Sequence, residues 1–268
     1  MGDTASLEEI AAATAYEELH VPALFRQWAP HVAEAAQIRP GHRVLDVACG
    51  TGILAREAAE RVGSEGSVTG LDAGRGMLAV AAQLAPGVEW REGTAESLPF
   101  EDASFDAVVS QFGLMFFQDR TRALQEMARV LAPGGRVAVA VWESLESSEA
   151  YPDEVALLER LAGPRAADAL RAPFVLGDRR ELAALFDGVG VDPVEISTQR
   201  GTARFPSIRT MVEADLRGWL PVMDVVLAEE QIERILDEAE RVLRRFVTPE
   251  GAVVFDSPAH ILSARKKQ

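Results

Sequence analysis

The run RVLDVACGTG at residues 43–52 constrains the fold of this chain more than any other stretch. Residues 44–47 are a short apolar segment with β-branched side chains, which predicts a buried strand. Small residues follow, and apolar residues then recur on one helical face, at Ile53, Leu54, Ala58 and Val62. A strand, a tight loop and a helix in this order place the loop at the carboxyl edge of a parallel sheet, where ligands bind. The free N–H groups that open the helix favour a negatively charged group.

The alternation of strand and helix continues as far as residue 142. Further strands are predicted at 67–71, 88–91, 105–110 and 136–142, with helices between them that include 74–84 and 122–131. This regular order predicts an α/β fold with a doubly wound, mostly parallel sheet. The N-terminal residues 4–37 are predicted to be helical, in pieces separated by Pro22 and Pro30.

Past residue 142 the pattern changes. The later predicted elements are helices and loops at 144–177, a helix at 178–187, a strand at 194–198, two amphipathic helices within 206–248 and a last strand at 259–265. Asp178 and Glu181 resemble a capping box at the start of the helix predicted at 178–187. Pro258 stands at the start of the last strand, where a proline fits.

Composition limits the classes of function. With 27 basic and 42 acidic residues the net charge is −15, which argues against a nucleic-acid substrate. The one cysteine, Cys49, excludes an internal disulfide and a cysteine-cluster zinc site, and the four histidines show no metal-ligand spacing, so we predict no metal. We see no signal peptide and no apolar run as long as a membrane span, and we expect a cytoplasmic protein.

Asp72 stands at the end of the second predicted strand, 20 residues after Gly52. In nucleoside-binding α/β folds an acidic residue here receives the two ribose hydroxyls, because a carboxylate accepts two hydrogen bonds at once. An alternative role is to cap the helix at 74–84. The glycine loop also fits the G-x-G-x-x-A pattern of dinucleotide-binding proteins, from Gly50 to Ala55.

These residues resemble the first motif of class I S-adenosylmethionine (SAM) dependent methyltransferases, in particular the ubiquinone/menaquinone-biosynthesis methyltransferases. The resemblance covers about residues 40–142, and Ala48 stands where relatives often have Gly. It implies SAM as cofactor, with S-adenosylhomocysteine (SAH) as product, and a seven-stranded sheet whose last strand returns antiparallel between the fifth and sixth. The segments it implies are an N-terminal helical lid at 1–39, a SAM-binding core at 40–143, cap insertions at 144–177 and 206–250, a core helix and strand at 178–205 and the final strand at 251–268.

The candidate cofactor residues lie in the lid and at the strand ends. They are Tyr16, Asp46, Ala48, Gly50, Thr51, Gly52, Asp72, Ala73, Met77, Thr94, Ala95, Glu96, Ser110, Gln111 and Phe112. Asp46 is placed to help bind the cationic amino-acid end of SAM through water, and this favours SAM over a dinucleotide. The resembled family has an acidic residue where this chain has Thr94, whose hydroxyl can still accept from the adenine amino group. Gly50 and Gly52 leave the backbone open to a ligand.

An unusually aromatic loop at 111–117 suggests an apolar acceptor. The candidate acceptor-binding residues are Phe25, Met115, Phe117 and Trp142, although Phe25 could simply dock the lid helix. With no nucleophilic triad in the sequence, orientation can supply most of the acceleration, and His20 or Glu143 could act as a base.

We therefore predict a SAM-dependent methyltransferase acting on a small, apolar or aromatic molecule. The alternatives are an accessory protein that binds SAM or SAH without methyl transfer, and an NAD(P)-dependent oxidoreductase. The acceptor, its methylated atom and the oligomeric state stay open.

Overall fold

A computed structural model describes residues 5–192 and 194–267. The strands are β1 Arg43–Val47, β2 Ser67–Asp72, β3 Glu89–Glu92, β4 Phe105–Gln111, β5 Leu131–Trp142, β6 Glu195–Gln199, β7 Thr202–Phe205, β8 Val253–Asp256 and β9 Ala259–Arg265. The α-helices are α1 Leu7–His20, α2 Ala29–Ala35, α3 Ile53–Val62, α4 Arg75–Leu84, α5 Arg120–Val130, α6 Tyr151–Ala162, α7 Pro164–Arg171, α8 Arg179–Ala184, α9 Ile208–Ala214, α10 Leu220–Val222 and α11 Glu229–Val242. Residues 1–4, Pro193 and Gln268, which the predicted segments 1–39, 178–205 and 251–268 include, lie outside the described residues.

Seven strands form one sheet in the order β3-β2-β1-β4-β5-β9-β6. The first five are parallel, and β9 runs antiparallel to both β5 and β6. The predicted fold class is therefore confirmed, including the returning last strand. Because β1 pairs with β2 and β4 through Asp46↔Gly70 and Asp46↔Val109, the loops after these strands meet at one edge.

The central strands are buried because helices cover both faces of the sheet. The last six residues of β5 and the first six of β9 are all buried, whereas the edge strand β3 has no buried residue. Continuous apolar runs thus mark the centre of the sheet, as the run at 136–142 predicted.

The N-terminal region is helical, as predicted, but it contains a π-helical turn at Val21–Phe25 between α1 and α2. Helix α1 starts at a capping box formed by Ser6 and Glu9. It lies across the start of α4, where a Cβ at Gly76 would come 2.3 Å from the Glu9 carbonyl oxygen. Gly76 therefore permits the close approach of the two helices.

The helices of the two predicted insertions pack together, and we refer to α6, α7, α9, α10 and α11 as the cap. Helix α11 packs against α6 and α9. Sequence reasoning missed β7 and β8, which pair antiparallel at the base of the second insertion, with Ala203 opposite Phe255. Each has only four residues and its partner lies about fifty positions away, so no local pattern revealed them. The helix predicted at 178–187 is shorter, and Asp178 accepts from the amides of Arg180 and Glu181 at its start.

Candidate functional site

The loop after β1 turns through left-handed backbone conformations. Ala48, Gly50 and Gly52 have φ values of 58°, 55° and 84°. A Cβ at Gly50 would meet no atom within 4 Å, so this side of the loop faces open space. Ala48 adopts a conformation that usually favours glycine. Gly113 leaves room for the Ala48 side chain, since a Cβ at Gly113 would lie 2.7 Å from the Ala48 Cβ.

The space beside Gly52 is filled by an indole ring. A Cβ at this position would lie 2.4 Å from Cη2 of Trp90, and one at Gly70 would lie 2.3 Å from Cζ3 of the same ring. The indole of Trp90 thus fills the space beside both glycines. A side chain at Gly52 would therefore collide with protein, whereas one at Gly50 would enter open space, and the binding of the cofactor by both glycines stays a prediction.

The carboxylate of Asp72 joins the two loops that follow β1 and β2. Its Oδ2 accepts from the Gly50 amide at 2.8 Å and its Oδ1 from the Gly74 amide at 2.7 Å. Each oxygen keeps a second lone pair for another donor. Burial raises the pKa of this carboxyl group, against the lowering effect of the Gly74, Gly50 and Ala73 amides. The residue that caps α4 is Gly74, so Asp72 supports that helix only through the Gly74 amide.

Asp46 is an acceptor without a donor. It is 1% exposed, and within the described part of the chain neither of its carboxylate oxygens has a hydrogen-bond partner. Burial raises its pKa well above the usual range, the nearby charge of Asp72 adds to this, and the Ala55 amide opposes it only in part. A buried acceptor of this kind calls for a donor from a ligand or from water.

Further unpaired polar atoms lie at the end of β4. Ser110 Oγ and Gln111 Oε1 are buried and have no partner among the described residues, while Gln111 Nε2 donates to the Phe25 carbonyl oxygen at 3.1 Å. Phe112, which follows, has a φ of 57°. The carboxyl ends of β1 and β4 thus carry buried polar atoms with no hydrogen-bond partner among the described residues, and we call the region between the ends of β1, β2 and β4 the crevice.

The loop after β3 is tied to α5 through Glu96. Oε1 of Glu96 accepts from the Gln118 amide at 2.9 Å, which leaves the carboxylate lone pairs that could still meet an adenine edge. Thr94 is exposed and bridges to Ser97, and Ala95 is buried. Two further predicted cofactor residues lie near the start of α4: Ala73 is exposed, and Met77 is half-buried with its Cγ 3.3 Å from the Cβ position of Gly74.

Helix α1 is fastened to the glycine loop by Glu17, which sequence reasoning missed. Glu17 Oε2 accepts from the Thr51 hydroxyl at 2.5 Å, and Glu17 Oε1 pairs with Arg56 at 2.7 Å. Arg56 also donates to the Thr51 carbonyl oxygen at 2.7 Å. Thr51, a predicted cofactor-binding residue, therefore uses its hydroxyl to bind helix α1.

Aromatic side chains from three segments meet beside the crevice. The Phe25 ring centroid lies 5.5 Å from those of Tyr16 and Phe112 and 5.9 Å from that of Trp142. Phe112 and Trp142 stack at 3.9 Å. The structure thus brings together Phe25 and Trp142 as predicted, and Phe25 both contacts this cluster and docks the N-terminal region.

Met115 and Phe117, the other predicted acceptor residues, follow β4 in the same loop. Met115 is 4% exposed and Phe117 is half-buried. A Cβ at Gly113 would lie 3.5 Å from the Phe117 ring, so this side chain lies beside the Ala48 loop.

The two candidate bases occupy different places. His20 stacks on Tyr16 at 5.4 Å, and its Nε2 lies 4.0 Å from Asp215 Oδ1. Burial lowers the pKa of His20 to about 4, so the ring is neutral at pH 7. Glu143 instead accepts from the Ser147 hydroxyl at 2.9 Å and lines a depression of about 460 Å³ with Asp178 and His260. This position does not favour a catalytic role for Glu143, which stays a prediction.

The described residues contain neither a metal-ligand cluster nor a membrane-spanning helix. No group of three or more His, Cys, Asp or Glu side chains within 5–192 and 194–267 could hold a metal ion. Over the same residues, no helix is both long enough and apolar enough to cross a membrane.

Comparison with known proteins identifies the core. Residues 45–139 match the methyltransferase domain family. Over 136 residues the chain is 43% identical to the ubiquinone/menaquinone biosynthesis C-methyltransferase UbiE of Xanthomonas campestris, which covers 48% of this chain and 52% of that protein. Over 122 residues it is 43% identical to the chloroplastic 2-phytyl-1,4-beta-naphthoquinone methyltransferase of Arabidopsis thaliana, covering 42% and 47%. The chain thus spans about half the length of the curated relatives it matches.

One solved structure extends the likeness beyond this core. The Haemonchus contortus phosphoethanolamine N-methyltransferase 2, in complex with phosphomonomethylethanolamine and SAH, superposes with a TM-score of 0.61 at 18% identity, covering 97% of this chain and 58% of that one. This likeness shows the fold. Together the comparisons confirm the resemblance read from the glycine loop, and they do not favour the dinucleotide alternative.

Proposed function

We propose that the protein transfers a methyl group from SAM to a small aromatic or apolar molecule, since residues 45–139 match the methyltransferase domain family and are similar to SAM-dependent methyltransferases. The observation that carries the proposal is the crevice between β1, β2 and β4. There Asp72 is held by two amides with lone pairs to spare, and open space lies beside Gly50.

The unpaired groups of the crevice fit SAM. Asp72 would hold the two ribose hydroxyls, because its remaining lone pairs match two donors. Asp46, whose buried oxygens have no partner among the described residues, would receive the ammonium group directly or through water. Ser110 and Gln111 offer further polar atoms at the same edge. When bound, SAM supplies an electrophilic methyl group on a positively charged sulphur.

The protein's own contribution is orientation and the exclusion of water. Helix α1 covers the crevice and is fixed to it through Glu17, while Phe25, Phe112 and Trp142 form an apolar wall. An aromatic acceptor would stack against that wall, next to the methyl group. The division into a lid at 1–39, caps at 144–177 and 206–250 and a core of the remaining segments belongs to this proposal.

Calorimetry with SAM, SAH and NAD tests the cofactor. We expect SAM and SAH to bind with micromolar affinity and NAD to show no measurable heat. Tighter binding of NAD would overturn the assignment in favour of an oxidoreductase.

Methyl transfer itself is tested by incubating the protein with SAM and a panel of small aromatic acceptors. Formation of SAH together with a product 14 mass units heavier would support the proposal. Binding of SAM with no product from any acceptor, including quinols related to the substrates named for the curated relatives, would favour the accessory-protein alternative.

We also propose that the protein works in the cytoplasm and does not bind nucleic acid. The net charge of −15 supports the second point. Because one curated relative is named as chloroplastic, compartments differ among similar proteins, and fractionation of the source cells would test the first.

A further inference from the structure

The edge strand β3 carries a single large apolar side chain, that of Trp90. The other residues of the strand, Glu89, Arg91 and Glu92, are charged and exposed, whereas Trp90 is half-buried. Its indole Nε1 donates to the Ala85 carbonyl oxygen at 3.1 Å, just after α4, so a hydrogen bond fixes the ring. Because charged side chains suffice on a solvent-exposed edge strand, the indole is explained by the contacts that it makes.

The ring of Trp90 extends from β3 across β2 to the start of α3. Gly70 of β2 is the register partner of Trp90, and a Cβ at Gly70 would lie 2.3 Å from Cζ3 of the indole. A Cβ at Gly52, the residue before α3, would lie 2.4 Å from Cη2 of the same ring. Carbon atoms in contact are normally about 3.5–4.0 Å apart, so a side chain fits at neither position. The indole therefore packs directly on the backbone of both segments.

Glycine at position 70 is unfavourable for the strand itself. A glycine inside a strand is less stable than an alanine, because it is more flexible in the unfolded chain and has no side chain to pack. A ring that only covered apolar surface would pack equally well against a larger side chain on β2. The glycine instead lets the ring pass over β2 and reach the loop before α3, which indicates a role for Trp90 in that loop.

The loop that the ring contacts also holds Asp72. The Gly52 amide donates to the Cys49 carbonyl oxygen at 2.9 Å, which closes a turn around Gly50. The Gly50 amide in that turn donates to Asp72 at 2.8 Å, and the Cys49 amide donates to the Leu71 carbonyl oxygen at 3.0 Å. The turn is thus attached to β2 at one end and packs on the indole at the other, so a shift of Gly52 would move the Gly50 amide.

We propose that Trp90 is a positioning residue of the cofactor site, whose indole holds Gly52 in place and thereby sets the distance between the Gly50 amide and Asp72. This rests on the proposed binding of SAM in the crevice, to which it adds a residue that need not contact SAM. Sites bind tightly when supporting residues restrict the motion of the groups that contact the ligand. Loss of the ring should therefore weaken cofactor binding more than it destabilises the fold, because β3 lies at the edge of the sheet.

Substitutions at Trp90 test this, with SAH affinity measured by calorimetry and SAH dissociation by stopped-flow. Trp90→Leu should bind SAH about tenfold more weakly and release it faster, because the loop loses its support. Trp90→Phe keeps a ring beside Gly70 and should stay within about threefold of the wild-type affinity. Ile196→Ala removes a half-buried side chain from β6, the opposite edge strand, and should keep full affinity even where its unfolding temperature falls. Wild-type affinity in folded Trp90→Leu, or an equal loss in Ile196→Ala, would overturn the proposal.

A second substitution distinguishes a displaced ring from a weakened strand. In Gly70→Ala the added methyl group would meet Cζ3 and Cε3 of the indole at 2.3 and 2.5 Å, and the φ of Gly70 is not positive, so collision with the ring is the main source of strain. We expect about a tenfold loss of SAH affinity in Gly70→Ala, and no further loss when it is added to Trp90→Leu, because the ring to be displaced is gone. Gly87→Ala, whose added Cβ meets no atom within 4 Å, is the control and should bind as the wild type does.

The double variant and the wild type decide between the possible failures. Losses that multiply in the double variant, to about a hundredfold, would contradict a shared mechanism for Trp90 and Gly70. Wild-type protein that binds neither SAM nor SAH would overturn the proposed cofactor site itself. Binding by the wild type, together with unchanged binding in Trp90→Leu and Gly70→Ala, would overturn the positioning role alone.

Discussion

Buried carboxylates differ in their hydrogen-bond partners between the crevice and the cap. In the crevice Asp72 receives two backbone amides from loops that the sheet topology holds in place. In the cap Glu154 and Asp215 lie on helices about sixty residues apart, and no backbone amide of the described residues donates to Glu154. The fold itself therefore pairs the carboxylate in the crevice, whereas the cap carries buried carboxyl oxygens with no partner among the described residues.

The difference follows from how each region is built. A cofactor site shared among many enzymes can be built from local chain geometry, because the same strand-loop-helix unit always places the same amides. A site for one particular acceptor depends on the contacts between distant insertions. Variants in the crevice and in the cap test whether one region can be changed without affecting the other.

The largest effect is expected from Gly50→Val. The valine side chain would enter the open space beside the loop. Because valine is branched at Cβ, its backbone would be strained at a φ of 55°. SAM affinity should fall by at least about a hundredfold by calorimetry, roughly 2.7 kcal/mol or more, while the folded sheet is retained.

Gly188→Val is the matched control. Gly188 also has a positive φ, 74°, and an added Cβ meets no atom within 4 Å, but it lies after α8 and away from the crevice. It should show similar strain in thermal unfolding with unchanged SAM affinity. If both variants bind SAM as the wild type does, the open space at Gly50 does not hold the cofactor.

Most of the crevice could be predicted from the sequence, because its geometry is local. Asp72 and Gly50 belong to a strand-loop-helix unit whose period and small residues are visible in the chain. Trp90 could not be identified in the same way. Its indole fills the space beside Gly52 and Gly70 only after β3 pairs with β2, so the reason for those glycines is visible only in the folded sheet.

The helices of the cap could be predicted from the sequence, but the burial of two acids between them could not. A signal was nevertheless present, because Glu154 and Asp215 are acids on helical faces that are otherwise apolar. Tyr151 and Leu158 lie one turn before and one turn after Glu154, and Met211 and Val212 lie one turn before Asp215. An acid in such a position indicates either a buried partner or a functional role. Which of the two applies depends on contacts between residues far apart in the chain, as do Glu17 and the β7–β8 pair.

Asp215→Asn should change how stability depends on pH. Because the pKa of Asp215 is raised from 3.8 to about 7, the folded state holds its proton more tightly than the unfolded state, and the unfolding free energy falls as pH rises from about 4 to 7. Between pH 5 and pH 8 the variant should therefore lose roughly 2–3 kcal/mol less stability than the wild type.

Urea unfolding at both pH values measures this difference. The lowered pKa of His20 acts with the opposite sign, adding stability as pH rises from about 4 to 6.5, but it is present in both proteins. Asp237→Asn on the exposed side of α11 serves as the control and should follow the wild type. Parallel curves for wild type and Asp215→Asn would contradict a proton held by the pair.

Asp72→Ala should weaken SAM binding by roughly 1.5–3 kcal/mol, about 10- to 150-fold, because it removes hydrogen bonds to a charged group. It also frees the amides of Gly50 and Gly74, so part of the loss comes from a less ordered loop. Asp102→Ala, which removes an exposed partner of Arg129, should leave the affinity unchanged. Full affinity in folded Asp72→Ala would exclude the ribose contact.

The smallest effect concerns the connection between the lid and the crevice. Glu17→Gln removes the charge that pairs with Arg56 but keeps a group that can still meet the Thr51 hydroxyl, so the lid should loosen without detaching. SAH should dissociate roughly three- to tenfold faster in stopped-flow, and amide exchange within α1 should rise, because a partly buried ion pair contributes about 1 kcal/mol. Glu18→Gln, an exposed neighbour on the same helix, should match the wild type. If dissociation is unchanged in Glu17→Gln, α1 does not act as the lid of the crevice.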